Sequence, residues 1–335
     1  MRILKSLLPK MGQYHSKLLP LTYKKYPTKE VILNSKKVGH VTAFDVSQMN
    51  YIEVKKSTNT EKLIENIFPI NITRLKENKG ELSVVLDEKC NILDDFVVTN
   101  MGDRYRFIVN SESIPLFNEY FSKKNIEYKF LSDKKILSIQ GDGAINLMND
   151  FELPTEMKFM ENINYNEMEI TRCGYTDMDG FEIIGNEDNL EYLIEKMIEK
   201  ENINFGGLIE RDILRLEAGF CLSGNEFGEN LNVHFNEADL NFIIKKKRRD
   251  DKSFFGGEYL DISPTKIRRN LISNISLLNQ KDIYNNKEDV VGVVTSASYS
   301  YNLGKFIGMG YINIEQKDNL YIKRSGKYHE INLHR

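Results

Sequence analysis

Apolar residues recur along the chain with two different periods. In "NEDNLEYLIEKMIEK" (186–200), Leu190, Leu193, Ile194, Met197 and Ile198 follow the i, i+3, i+4, i+7, i+8 spacing of one helix face. This predicts a helix with a core-facing stripe. "STNTEKLIENIFP" (57–69) predicts a shorter helix, with Thr or Asn as the cap, Leu63, Ile64, Ile67 and Phe68 on one face, and Pro69 as the stop. "GGLIERDILRLEAGFCLSGNEFGEN" (206–230) predicts a third, with Ile213, Leu216 and Phe220 as its buried stripe. Arg211 and Arg215 are four apart and share another face of it. Between the helices the period shortens to that of strands: "DDFVVTN", "RYRFIVN", "ILSIQ", "MEITRCG", "GFEIIG", "DVVGVVTS" and "FIGMGYI". The class expected is mixed α and β, dominated by antiparallel pairing.

"FVVTN" and "YRFIVN" are separated by "MGDR". A hairpin over those residues pairs Asn100 with Tyr105. Counting outward, Phe96 faces Val109 and Val98 faces Phe107, giving one apolar face. The other face carries Asp95, Val97, Thr99, Arg106, Ile108 and Asn110. A slip of one residue would scatter the apolar set, so this register is favoured. It puts Asp95 opposite Asn110 and turns Asp94 to the other side, where substitution should matter little. By pattern alone Asp95 is an ordinary strand-end carboxylate.

In "TRCGYTDMDGFEIIG", a turn on Asp177, Met178, Asp179 and Gly180 leads into a strand holding Glu182 between Phe181 and Ile183. Such a glutamate is usually on the solvent face. If covered, it needs a cationic or donor-rich partner. Arg211, in a first helical turn, could hold a carboxylate in a bidentate fork, although a salt-bridged helix face is the commoner meaning of that pattern.

Composition narrows the classes. The chain has 335 residues, too many for one average domain. Lys+Arg is 46 against Asp+Glu 49, so no global basic excess points to nucleic acid. The three cysteines, Cys90, Cys173 and Cys221, are widely spaced and form no CxxC. The histidines show no HExxH, so no metal site is signalled. No apolar run approaches a membrane span. "KKKRRDDK" (245–252) reads as a solvated loop, with reception of an acidic tail as the rival. The first 29 residues carry Arg2, Lys5, Lys10, Lys17, Lys24, Lys25 and Lys29 and no acid. They suit an amphipathic transit peptide, or a basic edge of the folded domain.

Taken together, the motifs resemble the aminomethyltransferase of the glycine cleavage system, the T-protein family. "AFDVSQM" (43–49) resembles its FDVSHM, "NILDDFVVTN" its GGxxDDLxV, and "SIQGDGA" (138–144) its QGPxA segment. "TRCGYTDMDGFEI" is similar to RTGYTGEDGxEI, and "GLIERDILRLEAGFCLSGNE" to GLGARDxLRLEAGxxLYGxD/E. "FFGGE" and "VGVVTSASYSYNLGKFIGMGYI" resemble the C-terminal signature. The matches run from about Pro20 to about Tyr311, in family order. Departures are Cys90-Asn91 for Gly-Gly, Gln48 for His, Ile209-Glu210 before Arg211, Ser223 for Tyr, and Phe242 for Trp.

The resemblance implies an α+β fold: a three-domain cloverleaf with antiparallel sheets and a C-terminal β-barrel-like domain around a central folate cavity. The expected division is 1–29 as a candidate transit segment, 30–55 with 135–244 as the folate-binding domain, 56–134 as a second α+β domain, and 245–335 as the C-terminal β domain. It also implies a reaction. A lipoylated H-protein presents an aminomethyl group on sulfur, and tetrahydrofolate takes the one-carbon unit to give 5,10-methylene-tetrahydrofolate and ammonia. By motif match, Asp95 is the anion that stabilises developing positive charge, with Asn110 fixing its orientation. Glu182 accepts from the pterin, Arg211 lines the folate site, and Met49 and Tyr175 supply apolar walls. Asp95, Glu182 and Arg211 are expected to line one cavity. No nucleic acid, membrane or metal is expected, the chain should act as a monomer, and its place in a eukaryote would be the mitochondrial matrix. The alternative is a non-catalytic folate-binding relative acting in iron–sulfur cluster assembly. A flavin-bearing demethylase is disfavoured, because "GDGAIN" lacks the third glycine of GxGxxG.

Overall fold

The protein is described by a computed structural model covering residues 1, 3–14, 17–278, 280–316 and 319–334. It comprises two compact units. The first holds Met1–Leu63, Thr73–Leu82 and Phe96–Leu214, and the second Ile64–Ile72, Ser83–Asp95 and Arg215–Arg335. The class is mixed α+β with antiparallel sheets, as the periods predict.

In the first unit a six-stranded sheet runs in the order Asn162–Tyr165, Met168–Thr171, Gly180–Gly185, Lys135–Gln140, Val41–Asp45, Ile203–Gly206. Its pairs are antiparallel except the last, which is parallel. Helix Glu187–Ile198 starts where the sequence says it should: the Asn186 side chain accepts the Asn189 N–H at 2.8 Å. Leu190, Leu193, Ile194 and Met197 are buried in the core and Ile198 is partly buried against it. Helix Thr58–Ile67 is capped by Ser57, whose hydroxyl accepts the Thr60 N–H at 3.1 Å, rather than by a Thr or Asn.

The hairpin of strands Ile92–Asn100 and Arg104–Val109 has the register that alternation dictates. Asn100 pairs with Tyr105, Val98 with Phe107 and Phe96 with Val109. Phe96, Val98, Phe107 and Val109 are all buried. The pairing ends there, one position short of Asp95 and Asn110. The opposite face is covered too, because Arg106 lies on it, 2% exposed, in an ion pair with Glu169 at 2.7 Å. Arg106 also donates to Asn162, Thr99 and Thr171, and Tyr51 donates to Glu169 at 2.7 Å. Burial pushes the Glu169 carboxyl up, yet Arg106 and Tyr51 hold it below the ordinary value.

The first residues belong to this unit. Leu4 and Leu7 join Tyr23 in the core, and Pro9–Tyr14 pairs with Lys17–Tyr23 as a hairpin. Of the basic residues in that stretch, Arg2 lies outside the described residues.

The second unit contains a closed barrel in the order Lys266–Ser273, Lys305–Asn313, Val290–Ser300, Asp282–Tyr284, Leu320–Arg324, Lys327–His334, the last pairing back onto the first. The helix expected through Phe220 stops earlier, at Ala218, because Gly219 turns to φ 77°. Ile213 and Leu216 are buried as expected, while Phe220 lies past the end and is 37% exposed. Arg215 is buried and donates to Glu226 at 2.8 Å and to Ser296 at 2.9 Å. "KKKRRDDK" is no solvated loop: Lys246–Asp251 is a helix, and Arg248 is buried with its guanidinium on the Glu65 and Phe68 carbonyls. Asp251 of the same block supplies its counter-charge at 3.0 Å, and the carbonyls at the end of helix Thr58–Ile67 accept its other N–H groups, a role that charge patterning cannot reveal. Among the described residues no helix is long and apolar enough to cross a membrane.

Candidate functional site

Three of the expected site residues meet in the first unit. Glu182 stands on strand Gly180–Gly185, opposite Thr171 on one neighbour and Ser138 on the other. Arg211 projects from the first turn of helix Leu208–Ala218, and its Nη2 lies 4.0 Å from Glu182 Oε1. That separation is too long for a hydrogen bond, so both groups keep capacity for a third party. The guanidinium sits over Tyr175, with Cζ 4.8 Å from the ring centroid. Arg211 Nη1 is buried and has no hydrogen-bond partner among the described residues. A buried guanidinium N–H without an acceptor costs free energy, which a ligand or a water would relieve. Cys173 lies against the same carboxylate. Burial, together with the Glu182 carboxylate it hydrogen-bonds, holds its thiol well above the ordinary range.

Glu210, beside Arg211 in sequence, turns away from it. Its Oε2 accepts the Gly207 N–H at 2.8 Å and its Oε1 accepts the Thr28 hydroxyl. It caps the helix from within the protein, fully buried, and so does not intrude on Arg211. Burial raises its pKa above the ordinary glutamate value, with hydrogen bonds from Thr28 and from backbone N–H groups acting the other way. The folded state therefore binds this proton more tightly than the unfolded one, and the stability so gained is lost as pH rises through the raised value. Glu210→Gln removes the charge, keeps one acceptor for Gly207 and offers an N–H to Thr28. Its Tm at pH 7 should exceed the wild-type value, with the difference shrinking as pH falls toward 4.5. Thermal melts across that range check it, and a variant less stable than wild type at pH 7 would contradict the sign.

The remaining residues stand on other elements. Met49 is half-buried on the turn before strand Asn50–Lys55, its N–H donating to the Val46 carbonyl at 3.1 Å. Asn110 follows strand Arg104–Val109, and its carbonyl accepts Asn50 Nδ2 at 2.9 Å and the Ser113 N–H at 3.1 Å. Asp95 belongs to the second unit, half-buried on strand Ile92–Asn100. Asp94 departs from expectation. It is 5% exposed, shares the buried alternation of Ile92 and Phe96, and accepts the Asp95 N–H at 2.8 Å. It is a structural carboxylate rather than a neutral control. Cys221 is close enough to Asp95 to feel its charge. Burial, with Glu226 and Asp95 adding to it, pushes the Cys221 thiol up to about 12.

A family model described as "GCVT N-terminal domain" matches residues 3–248, and one described as "Glycine cleavage T-protein C-terminal barrel domain" matches 273–334. The chain belongs to the glycine cleavage T-protein family. It is thus a transferase of the aminomethyltransferase family. Among similar T-proteins, the mitochondrial aminomethyltransferase of Dictyostelium discoideum is 29% identical over 342 residues, covering 92% of this chain and 83% of that protein. The human mitochondrial aminomethyltransferase is 28% identical, covering 82% and 73%. The crystal structure of glycine cleavage system aminomethyltransferase T from Bartonella henselae superposes with a TM-score of 0.93 at 25% identity, covering 100% of this chain and 95% of that one. One departure from the T-protein pattern now has a geometric meaning. Cys90, where the family motif has glycine, adopts φ 64°, the left-handed region that glycine tolerates best.

The motif match did not single out Gln140, at the end of strand Lys135–Gln140, or Thr176, beside Tyr175, whose hydroxyl donates to Gln140 Oε1 at 3.1 Å. Both sit inside motifs that carry the resemblance, but a buried amide and hydroxyl give no signal until their partners are known.

Proposed function

We propose that this chain transfers the one-carbon unit of aminomethyl-dihydrolipoyl H-protein to tetrahydrofolate. The products are 5,10-methylene-tetrahydrofolate, ammonia and dihydrolipoyl H-protein. The carbon exchanges its bonds to sulfur and nitrogen for two bonds to folate nitrogens, and the two folate protons leave on the thiol and the amine. Cleavage at this carbon develops iminium-like positive charge, which a fixed carboxylate stabilises. Asp95 takes that role. Glu182 accepts from the ring N–H groups of the pterin, and Arg211 donates to the same ligand. Met49 and Tyr175 act as apolar walls, and Asn110 contributes to the folate-binding site. The observation that carries the reading is Arg211: a buried, unpartnered N–H beside a carboxylate and over an aromatic ring, in a T-protein.

The proposal extends to organisation. Residues 30–55 with 135–244 form the folate-binding domain, 56–134 a second domain and 245–335 the C-terminal domain, acting as a monomer. In a eukaryotic source the place of action is the mitochondrial matrix. That is supported by relatives named mitochondrial rather than by the first 29 residues, whose Leu4 and Leu7 are used in the core. Fractionation finding the protein only in the cytosol would count against it. Calorimetric titration with tetrahydrofolate, paired with an ammonia-release assay on aminomethylated H-protein, tests the activity. Binding together with turnover supports it. Binding without turnover leaves a folate-binding relative, and the absence of both binding and turnover would remove the proposal.

A further inference from the structure

The segment that carries Tyr175 has no regular structure to hold it, since strand Met168–Thr171 has ended and strand Gly180–Gly185 has not begun. Its ends are tied by the Arg172–Asp179 ion pair, and one buried side chain holds its middle. Gln140, the last residue of strand Lys135–Gln140, is 0% exposed. Its Nε2 donates to the Cys173 carbonyl at 3.0 Å, with the Ile139 carbonyl at 3.1 Å and Ser138 Oγ at 3.2 Å also in reach. Its Oε1 accepts the Thr176 hydroxyl at 3.1 Å. The Cys173 and Ile139 carbonyls can only accept, so the amide orientation is fixed by its partners. Thr176 is also fully buried. Gly174 rests against the amide so closely that a Cβ there would run into it. The two hydrogen bonds land on residues 173 and 176, either side of Tyr175.

We propose that Gln140 and Thr176 are positioning residues for the folate site, setting the Tyr175 ring beneath Arg211 and so aiming the free guanidinium N–H. This rests on the folate reading above. Neither residue needs to touch the ligand. Fixing the loop before binding removes an ordering cost that would otherwise be subtracted from affinity. Losing one such hydrogen bond should let Tyr175 and Arg211 sample other orientations.

The test is Thr176→Val, which removes the hydroxyl at nearly constant volume, with Thr176→Ser as the conservative rescue. Tetrahydrofolate Kd and KM should rise about fivefold or more in the valine variant, the equivalent of one net hydrogen bond. The kcat at saturating folate should stay within about twofold of wild type, because the reacting carbon is handled elsewhere. Serine should restore the affinity. A second variant, Gln140→Glu, keeps the acceptor for Thr176 but faces the Cys173 carbonyl with an oxygen. Its affinity relative to wild type should recover as pH falls, when the protonated acid can donate again. If wild type binds tetrahydrofolate and both variants bind it equally at every pH, this proposal is overturned alone. If wild type does not bind it, the folate reading fails and this proposal with it.

Discussion

Replacing Asp95 with asparagine is expected to lower turnover about a hundredfold or more while the fold survives. The substitution keeps size and one acceptor oxygen, exchanges the other for a donating NH2, and removes the negative charge. A charge aimed at a developing cation acts in the transition state far more than in the ground state, so the loss should appear in kcat. Tetrahydrofolate affinity should change much less, since Glu182, Arg211 and Tyr175 are left intact. Asp94 cannot serve as the control, being buried and bonded to the Asp95 N–H. Asp133, exposed at a bend before strand Lys135–Gln140, is the better choice, and Asp133→Asn should be silent. The measurement is ammonia release from aminomethylated H-protein at saturating folate. An Asp95→Asn enzyme as fast as an active wild type would show Asp95 to be surface charge.

The largest effect on stability should come from Glu226→Ala. Glu226 is fully buried and accepts from Arg215 at 2.8 Å, the Leu222 N–H at 2.8 Å, Thr295 at 2.8 Å and Ser296 at 2.5 Å. Removing it takes away the carboxylate that the Arg215 guanidinium, itself 1% exposed, ion-pairs at 2.8 Å. Breaking one side of a buried pair costs about 3–5 kcal/mol, far beyond what an exposed pair contributes. Urea unfolding should show the loss, whereas Lys246→Ala, which opens the exposed Lys246–Asp250 pair, should leave the curve where it was. Equal shifts for the two variants would mean that the Glu226 network is dispensable.

Much of the fold was legible because the deciding signals are local. The hairpin of Asn100 and Tyr105 is specified by alternation on both sides of a short turn, and the register follows by counting. The Leu190 to Met197 stripe is specified by spacing alone. What could not be read depends on partners remote in sequence. Arg106 looks like surface charge until Glu169, 63 residues on, is placed beside it. Arg248 looks solvated until the carbonyls near Phe68 are brought to it. Asp94 follows the apolar alternation of its strand, and its charge hid that from a reading that expected acids to face water. Phe220 failed for a local reason: Gly219 ends the helix at Ala218, two residues sooner. For the site, the motifs named Glu182, Arg211 and Tyr175, and the structure brings these three together. Their support by Gln140 and Thr176 was beyond the pattern, because buried polar residues declare themselves only through geometry.

The barrel has a consequence for how the chain is made. Its ring is sealed by strand Lys327–His334 pairing with strand Lys266–Ser273, with Asn270 opposite His334. During synthesis the sealing strand emerges from the ribosome after every other stave of the ring. Until it arrives, strands Lys266–Ser273 and Leu320–Arg324 each carry an uncovered row of N–H and C=O groups, open to pairing with any passing strand. Closure converts two adhesive edges into none in one late step. Until Lys327–His334 arrives, a nascent chain is therefore exposed to mispairing with its neighbours on a polysome.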